Sequence, residues 1–251
     1  MRRLEGKRIA VTGAAGGLGT PLVRLLRERG AYVIGIDRVG CATCDENIVT
    51  DLSNDHALAA LAQTLARDTP DVLVNLAGVM RFGLHEDQPS DALDLCYRVN
   101  LYVPALLAQA VSAPMRGRGD GQIVNIGSVL GAIPYPWFAA YSSSKAGLAA
   151  LSQSLRRELM GSGVAVTHVN PRAAKTPLNN SEVNRFLDIA RMKADEPETV
   201  ARRIVEAIVR RRETVTIGWR ERLYTIVNTV APRLIDSGIA PQIRRARAEF
   251  C

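Results

Sequence analysis

Residues 8–19 read RIAVTGAAGGLG, a short apolar run followed directly by a glycine-rich turn. The run predicts a buried β-strand, and the spacing of Leu22, Leu25 and Leu26 predicts a helix over residues 18–29. Glycine between a strand and a helix permits a tight turn and lets the backbone approach a pyrophosphate, which the helix N-terminus attracts. A purely structural turn is the alternative. The context favours a dinucleotide-binding turn with contacts at Gly13, Ala15, Gly17, Leu18 and Gly19.

The same strand–helix alternation continues along the chain. Further apolar, β-branched runs occupy residues 31–36, 47–50, 71–76, 122–126, 164–169 and 214–217. Continuous apolar runs are typical of parallel strands that are covered on both faces. We therefore expect an α/β fold, a Rossmann-type doubly wound parallel sheet in three layers, built as a single domain over residues 1–251.

Length and composition limit the class of protein. The chain of 251 residues is 47% hydrophobic and 23% charged, which is typical of a folded globular domain. No apolar stretch approaches the ~20 residues that cross a bilayer, and the first strand begins too early for a signal peptide, so we expect a cytoplasmic location. The cysteines (Cys41, Cys44, Cys96 and Cys251) do not suggest a disulfide framework. Cys41 and Cys44 have C-x-x-C spacing, but without a second ligand pair we expect no metal or redox site.

Acidic residues after the second and third apolar runs bear on the choice of dinucleotide. Asp37 ends the second run, where a carboxylate accepts hydrogen bonds from the adenosine ribose and repels a 2′-phosphate. This position favours NAD, although the neighbouring Arg38 leaves NADP open. Asp51 and Leu52 follow the third run and are either adenine contacts or the start of a turn.

Residues 141–145 read YSSSK, which puts a phenol and an ammonium four residues apart. On a helix Tyr141 and Lys145 face the same way, and a nearby cation is expected to lower the pKa of the phenol. Tyr141 would then exchange a proton with an alcohol or carbonyl oxygen. Ser128 lies at the carboxyl end of a predicted strand and is expected to hydrogen-bond the same oxygen. The alternative is a surface helix with an incidental lysine.

These motifs together resemble the short-chain dehydrogenase/reductase family in its small single-domain form. The resemblance runs along nearly the whole chain, and it implies a nicotinamide cofactor and hydride transfer between an alcohol and a carbonyl. It rests on Thr12-Gly13-xxx-Gly17-x-Gly19, Asn75-Leu-Ala77-Gly78, Asn100, Ser128 and Tyr141-xxx-Lys145. By this resemblance Asn100, Ser128, Tyr141 and Lys145 are catalytic, with Asn100 positioning Lys145 through a water. The cofactor contacts would further include Asn75, Ala77, Gly78, Tyr141, Lys145, Pro171 and Thr176.

The chain departs from the family pattern at Arg172, which follows Pro171 where many members have glycine. Its guanidinium would contact the pyrophosphate, contact an acidic substrate group, or point to solvent. We favour one of the two electrostatic roles.

The substrate side is predicted to be apolar. No charged residue lies between Ser128 and Tyr141, and residues 178–195 have the pattern of a helical lid with one apolar face. An apolar pocket under a lid indicates a small hydrophobic carbonyl or alcohol, such as a 3-oxoacyl chain, a steroid-like ring or an aromatic carbonyl. The alternative is that these side chains are core or subunit contacts. After the lid, the capping-box spacing of Asp195 and Glu198 predicts a helix over residues 199–212.

The C-terminal end, residues 220–251, is a basic extension. The chain has a net charge of +7, and 11 basic against 5 acidic residues lie from Arg202 onward. Leu223, Ile226, Val227, Val230 and Leu234 have helical spacing, which Pro232 interrupts. We expect this stripe to pack on the domain or on a sister subunit in a homodimer or homotetramer, with an anionic membrane as the alternative. Nucleic acid is disfavoured, because no aromatic stacking platform accompanies the arginines.

The alternative to an NAD(P)-dependent oxidoreductase is a catalytically silent dinucleotide sensor or a membrane-associated protein that binds a partner. A sensor has no need for the Ser128, Tyr141 and Lys145 set, so its presence favours the enzyme.

Overall fold

Seven parallel strands form the centre of the computed structural model, which describes residues 4–250. The strands are β1 (Arg8–Thr12), β2 (Tyr32–Asp37), β3 (Glu46–Val49), β4 (Val72–Asn75), β5 (Gly121–Ile126), β6 (Val164–Asn170) and β7 (Thr214–Thr216). Their order in the sheet is β3-β2-β1-β4-β5-β6-β7, and the pairings are parallel. Because the winding reverses between β1 and β4, a crevice opens at the carboxyl ends of these two strands.

Helices cover both faces of the sheet, which confirms the predicted fold class. The described helices are α1 (Gly19–Arg27), α2 (Asp55–Arg67), α3 (Ser90–Tyr97), α4 (Val103–Gly117), α5 (Ala139–Glu158), α6 (Ser181–Ile189), α7 (Pro197–Val209), α8 (Trp219–Val230) and α9 (Pro232–Phe250). None of the helices in this described part is long and apolar enough to cross a bilayer.

The side chains of β1 show why the strands are apolar throughout. Ile9 and Val11 point into a core layer that contains α1 and α7, and Ala10 points into the opposite layer with α2 and α4. Successive residues of a strand face opposite sides of a sheet, so a strand between two helical layers needs apolar residues at every position.

The predicted capping box before α7 is wrong. The N-cap residue is Glu196, its side chain makes no capping hydrogen bond, and Pro197 takes the first helical position. The Asp195 carboxylate instead accepts hydrogen bonds from Arg172 at 2.8 and 2.6 Å. A charged partner from another loop therefore outcompetes the local capping interaction.

The C-terminal extension forms α8 and α9, and the chain breaks between them at Pro232 as predicted. Helix α9 packs Ala246 and Phe250 against a third cluster that includes Phe82, Trp137, Phe138 and Phe186. The stripe on α8 does not pack on the domain, because Leu223, Ile226, Val230 and, beyond the break, Leu234 are all exposed. Its packing on a sister subunit stays a prediction.

Candidate active site

The glycine-rich turn between β1 and α1 lies against the chain that follows β4. Gly13 has a φ of +73°, and a Cβ atom there would lie 2.9 Å from the Cα of Ala77. A Cβ on Gly19 would lie 2.0 Å from the carbonyl oxygen of Gly13. Only glycine fits either position. The hydroxyl of Thr12 accepts hydrogen bonds from the Leu76 and Ala77 amides at 3.0 and 3.1 Å and holds the two loops together.

The N-terminus of α1 is suited to an anion. Its cap residue, Leu18, makes no side-chain hydrogen bond, and the first turn contains no acidic residue. The N–H groups of a first helical turn have no partner within the helix, and the helix dipole favours negative charge there. The turn therefore has the donors that a pyrophosphate requires.

Asp37 faces the glycine-rich turn. Its carboxylate accepts hydrogen bonds from the Ala15 amide at 3.0 Å and from the Arg38 amide at 2.7 Å, which leaves lone pairs for a ligand hydroxyl. Asp51 opens a turn, since it accepts hydrogen bonds from the Ser53 amide and hydroxyl at 2.8 and 2.7 Å. These hydrogen bonds lower the pKa of Asp51. Asp51 and Leu52 nevertheless line the same crevice as Asp37.

A continuous cavity of about 1380 Å³ follows the carboxyl ends of the strands. It is larger than the roughly 300–1,000 Å³ of ordinary ligand pockets, and so has room for a dinucleotide and a second molecule. The predicted cofactor residues that line it are Gly13, Ala15, Gly17, Leu18, Gly19, Asp37, Arg38, Asp51, Leu52, Ala77, Gly78, Tyr141, Lys145, Pro171 and Thr176.

Asn75 is the predicted cofactor residue that the structure does not bring to this cavity. Its side chain is buried within the sheet, and its amide donates to the Asn125 side chain at 2.8 Å. The Asn125 amide in turn donates to Ser152 at 2.9 Å. Asn75 is therefore part of a chain of hydrogen bonds between β4, β5 and α5 and not of the cavity wall.

Tyr141 and Lys145 lie one turn apart on α5 and face the cavity together with Ser128, which follows β5. The Lys145 ammonium lies 5.8 Å from the centre of the Tyr141 ring and donates a hydrogen bond to the Ile126 carbonyl at 2.9 Å. The exposed fractions of Tyr141 and Lys145 are 8% and 4%. The structure thus brings the predicted phenol, ammonium and hydroxyl to one water-poor site.

Burial controls the ionisation of both groups. It raises the pKa of Tyr141 to about 12, against a lowering effect of the hydrogen bond with Ser128. It lowers the pKa of Lys145 to about 8. The expected lowering of the Tyr141 pKa is therefore not found in the protein alone, where loss of hydration disfavours the charged form of each group and outweighs any attraction between them. At neutral pH the site holds a neutral phenol, which is a proton donor.

Asn100 lies on a short π-helical stretch, Arg98–Tyr102, between α3 and α4. Such stretches are rare and are often found at functional sites. The Asn100 side chain binds both the N–H and the carbonyl of Val79 at 2.9 Å and donates to Ser144 at 3.1 Å. A Cβ on Gly78 would lie 3.2 Å from the Asn100 Oδ1 and 3.5 Å from the Lys145 Nζ. The predicted water-mediated link to Lys145 stays a prediction.

Arg172 lines the cavity and binds carboxylates of the protein itself, which rules out the solvent-facing role, whereas the expected contact with the pyrophosphate or with an acidic substrate group stays a prediction. Besides its two hydrogen bonds to Asp195, its guanidinium binds Glu221 of α8 at 3.3 Å. The hydrogen bonds with Asp195, and the attraction of both carboxylates, raise the pKa of Arg172 still further above its ordinary value. The guanidinium thus joins the loop after β6 to the segment before α7 and to α8. Thr176 lies over the glycine-rich turn, where a Cβ on Gly17 would be 2.9 Å from the Thr176 Cβ.

Sequence analysis missed the part of the cavity wall that α9 supplies. Ile235, Ile239 and Gln242 line the cavity, and the Gln242 side chain accepts a hydrogen bond from the Tyr135 hydroxyl at 3.2 Å. The signal was available, since positions 235, 239, 242, 246 and 250 recur at helical spacing. Cys96, buried against Asn100 and Ser144, was also missed as a neighbour of the site.

The C-x-x-C pair lies against Ala14 of the glycine-rich turn and Gly35 of β2. The Cys41 thiol donates to the Ala14 carbonyl at 3.4 Å and contacts the Thr43 hydroxyl at 3.2 Å. Cys41, Cys44 and Cys96 are free thiols. Residues 4–250 contain no group of three or more potential metal ligands. Cys251 lies outside the described residues.

The fold and the site together define a dinucleotide-binding scaffold of the Rossmann type that carries an acid–base set at its switch point. The family model described as short chain dehydrogenase matches residues 7–185. The chain belongs to the short-chain dehydrogenase family. This membership confirms the predicted class of enzyme, an NAD(P)-dependent oxidoreductase. Members are typically oligomeric and act on small carbonyl or alcohol substrates.

Individual relatives cover most of the chain. A short chain dehydrogenase of Pseudocercospora fijiensis is 34% identical over 193 residues, which are 70% of this chain and 62% of the relative. The cis-4-hydroxycyclohexanecarboxylate dehydrogenase of Sinomonas cyclohexanicum is 35% identical over 78% of this chain and 81% of the relative. A crystal structure of a short-chain dehydrogenase from Streptomyces avermitilis has a TM-score of 0.78 at 25% identity, covering 96% of this chain and 98% of that one.

Proposed function

We propose that this protein transfers hydride between NAD and a hydrophobic secondary alcohol or ketone. The observation that carries the proposal is the single cavity that joins the glycine-rich turn and Asp37 to Ser128, Tyr141 and Lys145. A dinucleotide at one end and a proton donor at the other are the two requirements of this reaction.

The lining residues fit a nicotinamide dinucleotide. The close approach at Gly13 and the uncapped N-terminus of α1 suit the pyrophosphate. Asp37 would accept hydrogen bonds from the adenosine ribose and repel a 2′-phosphate, so NAD is preferred over NADP. Lys145 would hold the nicotinamide ribose, and Thr176 the carboxamide. Bound NAD supplies the hydride acceptor or donor.

The proton is handled by side chains of this chain. In reduction, the neutral phenol of Tyr141 donates its proton to the carbonyl oxygen while the Ser128 hydroxyl donates a hydrogen bond to the same oxygen. The Lys145 ammonium then stabilises the phenolate that remains. In oxidation the phenolate removes the alcohol proton. Burial keeps water away from both groups, which strengthens these interactions.

The substrate end of the cavity supports a hydrophobic substrate. Apolar side chains come from the loop before α5, from α6 and from α9, and residues 178–195 would act as the lid. The relative from Sinomonas cyclohexanicum is named for an alicyclic alcohol, which agrees with a ring or an acyl chain of similar size. The apolar wall consists of Leu130, Ile133, Phe138, Val183, Phe186, Leu187, Ile235 and Ile239.

We also propose a homodimer or homotetramer, in line with the typical assembly of the family. Sedimentation equilibrium of the full chain tests this, and a monomer at every concentration would contradict it. A cytoplasmic location stays a prediction from the sequence.

A screen of apolar ketones and secondary alcohols, with NADH, NADPH and the oxidised forms, tests the reaction through the absorbance of the reduced nicotinamide. Turnover of an apolar ketone or alcohol, with NADH or NAD favoured, would support the proposal. Tight dinucleotide binding without turnover across the screen would favour the silent sensor instead.

A further inference from the structure

Helix α8 turns its apolar residues towards solvent and its polar residues towards the domain. Trp219, Leu223, Ile226 and Val230 have the spacing i, i+4, i+7 and i+11, which puts them on one face. That face is turned outward, with Trp219 73% and Val230 76% exposed. A surface helix of a domain that functions alone in water has the opposite arrangement.

The face of α8 that meets the domain is polar. Glu221 reaches Arg172 at 3.3 Å, and the Asn228 amide donates to the Ala132 carbonyl at 2.8 Å. Thr225 lies between them on the same side and is half-buried. The helix is therefore anchored through hydrogen bonds, and its apolar residues are left for another contact.

The exposed apolar residues are concentrated at this place. Six of the fourteen large apolar side chains that are exposed in residues 4–250 lie within residues 219–234. Contiguous exposed apolar surface of this kind marks an interaction site, whereas single exposed apolar residues do not. We call the outward face of Trp219, Leu223, Ile226 and Val230 the α8 face.

Unpaired cations flank the α8 face. On a helical projection Arg222 lies on one side of the stripe and Arg220 on the other, and Arg233 follows at the start of α9. None of these three arginines has a carboxylate partner within residues 4–250, and Arg220 stacks on the Trp219 ring at 5.3 Å. Of the three acidic residues in 219–250, Glu221 and Glu249 are already paired, with Arg172 and Arg185.

We infer that the α8 face docks on the surface of an anionic lipid bilayer. An apolar stripe with tryptophan at one end and arginines along both sides is the composition of a helix that lies in the membrane interface. Its long cationic side chains reach the headgroups while the stripe enters the acyl boundary. A second copy is disfavoured as the occupant, because a twofold contact through this face would bring the same arginines together.

The position of the face fits the proposed chemistry. Arg220, Tyr224 and Leu234 are exposed and also line the rim of the substrate cavity. Docking through α8 would therefore place the mouth of the cavity against lipid, from which a hydrophobic carbonyl compound could enter. The lipid contact itself is independent of the proposed reaction, since no catalytic group takes part in it.

Co-sedimentation of the full chain with vesicles tests the inference. We expect binding to phosphatidylcholine vesicles that contain phosphatidylglycerol, weaker binding at high salt, and little binding to phosphatidylcholine alone. Replacing Leu223 and Ile226 together by glutamate should abolish binding. Replacing Arg222 and Arg233 together by glutamine should weaken it about fivefold for each arginine removed.

Matched control variants show whether binding depends on the α8 face or only on the overall charge and apolar surface of the protein. Met160→Glu alters an exposed apolar residue far along the chain from α8, and Arg67→Gln with Arg116→Gln removes two exposed arginines elsewhere. All variants should keep the thermal midpoint of the wild type. The inference is overturned if the wild type stays in the supernatant with anionic vesicles, or if the controls lose binding as much as the α8 variants. It is also overturned if Leu223→Glu with Ile226→Glu dissociates an oligomer while vesicle binding is absent.

Discussion

The Nζ of Lys145 lies 5.8 Å from the centre of the Tyr141 ring, and both side chains are almost fully buried. A phenolate and an ammonium would attract each other, but burial disfavours the ionised form of both side chains. Tyr141 has a pKa of about 12 and stays protonated at neutral pH, whereas Lys145 has a pKa of about 8. Without a bound ligand, Tyr141 is therefore a neutral phenol that can donate its proton to a carbonyl oxygen.

Tyr141→Phe should lower kcat about 10²- to 10⁴-fold on any ketone that the enzyme accepts, because the ring remains but its proton does not. NADH binding, followed by fluorescence titration, should not change. Tyr97→Phe is the matched control, since it removes a phenol that only contacts Ser143 at the surface. Full activity of Tyr141→Phe would refute the proton-transfer role.

Lys145→Met should raise the free energy of unfolding near neutral pH while it abolishes activity. Unfolded lysine has a pKa near 10.5 and folded Lys145 near 8, so below pH 8 the folded state carries a buried ammonium at its full cost. Between these values the unfolded state binds more protons, and wild-type stability rises with pH by up to about 3 kcal/mol. The variant lacks this rise.

The free energy of unfolding, measured in urea, should therefore exceed that of the wild type in Lys145→Met. This difference should be largest below pH 8 and shrink towards pH 10. Lys175→Met, which removes an exposed ion pair with Glu196, is the matched control and should change the free energy of unfolding by less than about 1 kcal/mol. An advantage of Lys145→Met that is constant over the range would show that burial does not depress the pKa of Lys145.

The strands, the glycine-rich turn and the cavity residues were predictable because each rests on a local pattern. A strand that is apolar at every position indicates helical layers on both faces of the sheet. Glycines between a strand and a helix indicate a turn in which the backbone makes close contacts that a Cβ would prevent. Asn75 was misplaced for the opposite reason. Its residue type is equally suited to a ligand and to a buried neighbour, and only the sheet register that pairs it with Asn125 decides between them.

The C-terminal helices show a second limit. Helical spacing establishes that Leu223, Ile226 and Val230 share a face, but it contains no information on what covers that face. The stripe with Ile235 and Ile239 has the same kind of spacing and packs inward. The direction of the Tyr141 pKa shift in the protein alone was mispredicted for a similar reason. The sequence shows the spacing of the phenol and the ammonium but not how deeply they are buried.

Asp37→Asn should shift the cofactor preference towards NADP. The amide keeps an acceptor for the Ala15 N–H but no longer repels a 2′-phosphate, and Arg38 remains beside it. We expect NADH to bind about tenfold or more weakly, the loss of a hydrogen bond to a charged group, and NADPH to bind more tightly. Asp51→Asn should leave the ratio unchanged, because that carboxylate is engaged by Ser53. An unchanged ratio in Asp37→Asn would contradict the NAD assignment.

Arg172→Met should destabilise the fold without weakening NADH binding. The guanidinium satisfies Asp195 and Glu221, whose side chains are only 13% and 23% exposed, so its removal leaves two half-buried carboxylates without their cation. Hydrogen bonds to charged groups contribute about 1.5–3 kcal/mol each, and we expect the free energy of unfolding to fall by about that amount.

Two further variants define what Arg172 does. Arg172→Lys should rescue little of the loss, because an ammonium cannot make the paired hydrogen bonds to Asp195. Arg203→Met, which removes an exposed ion pair with Glu206, should cost less than about 1 kcal/mol. If Arg172→Met instead kept its stability and lost affinity for NADH, the guanidinium would leave Asp195 to contact the pyrophosphate, as one of the sequence-based alternatives expected. A fall in stability with unchanged NADH affinity would show that Arg172 replaces the family's glycine in order to fasten α8 and the end of the lid to the sheet.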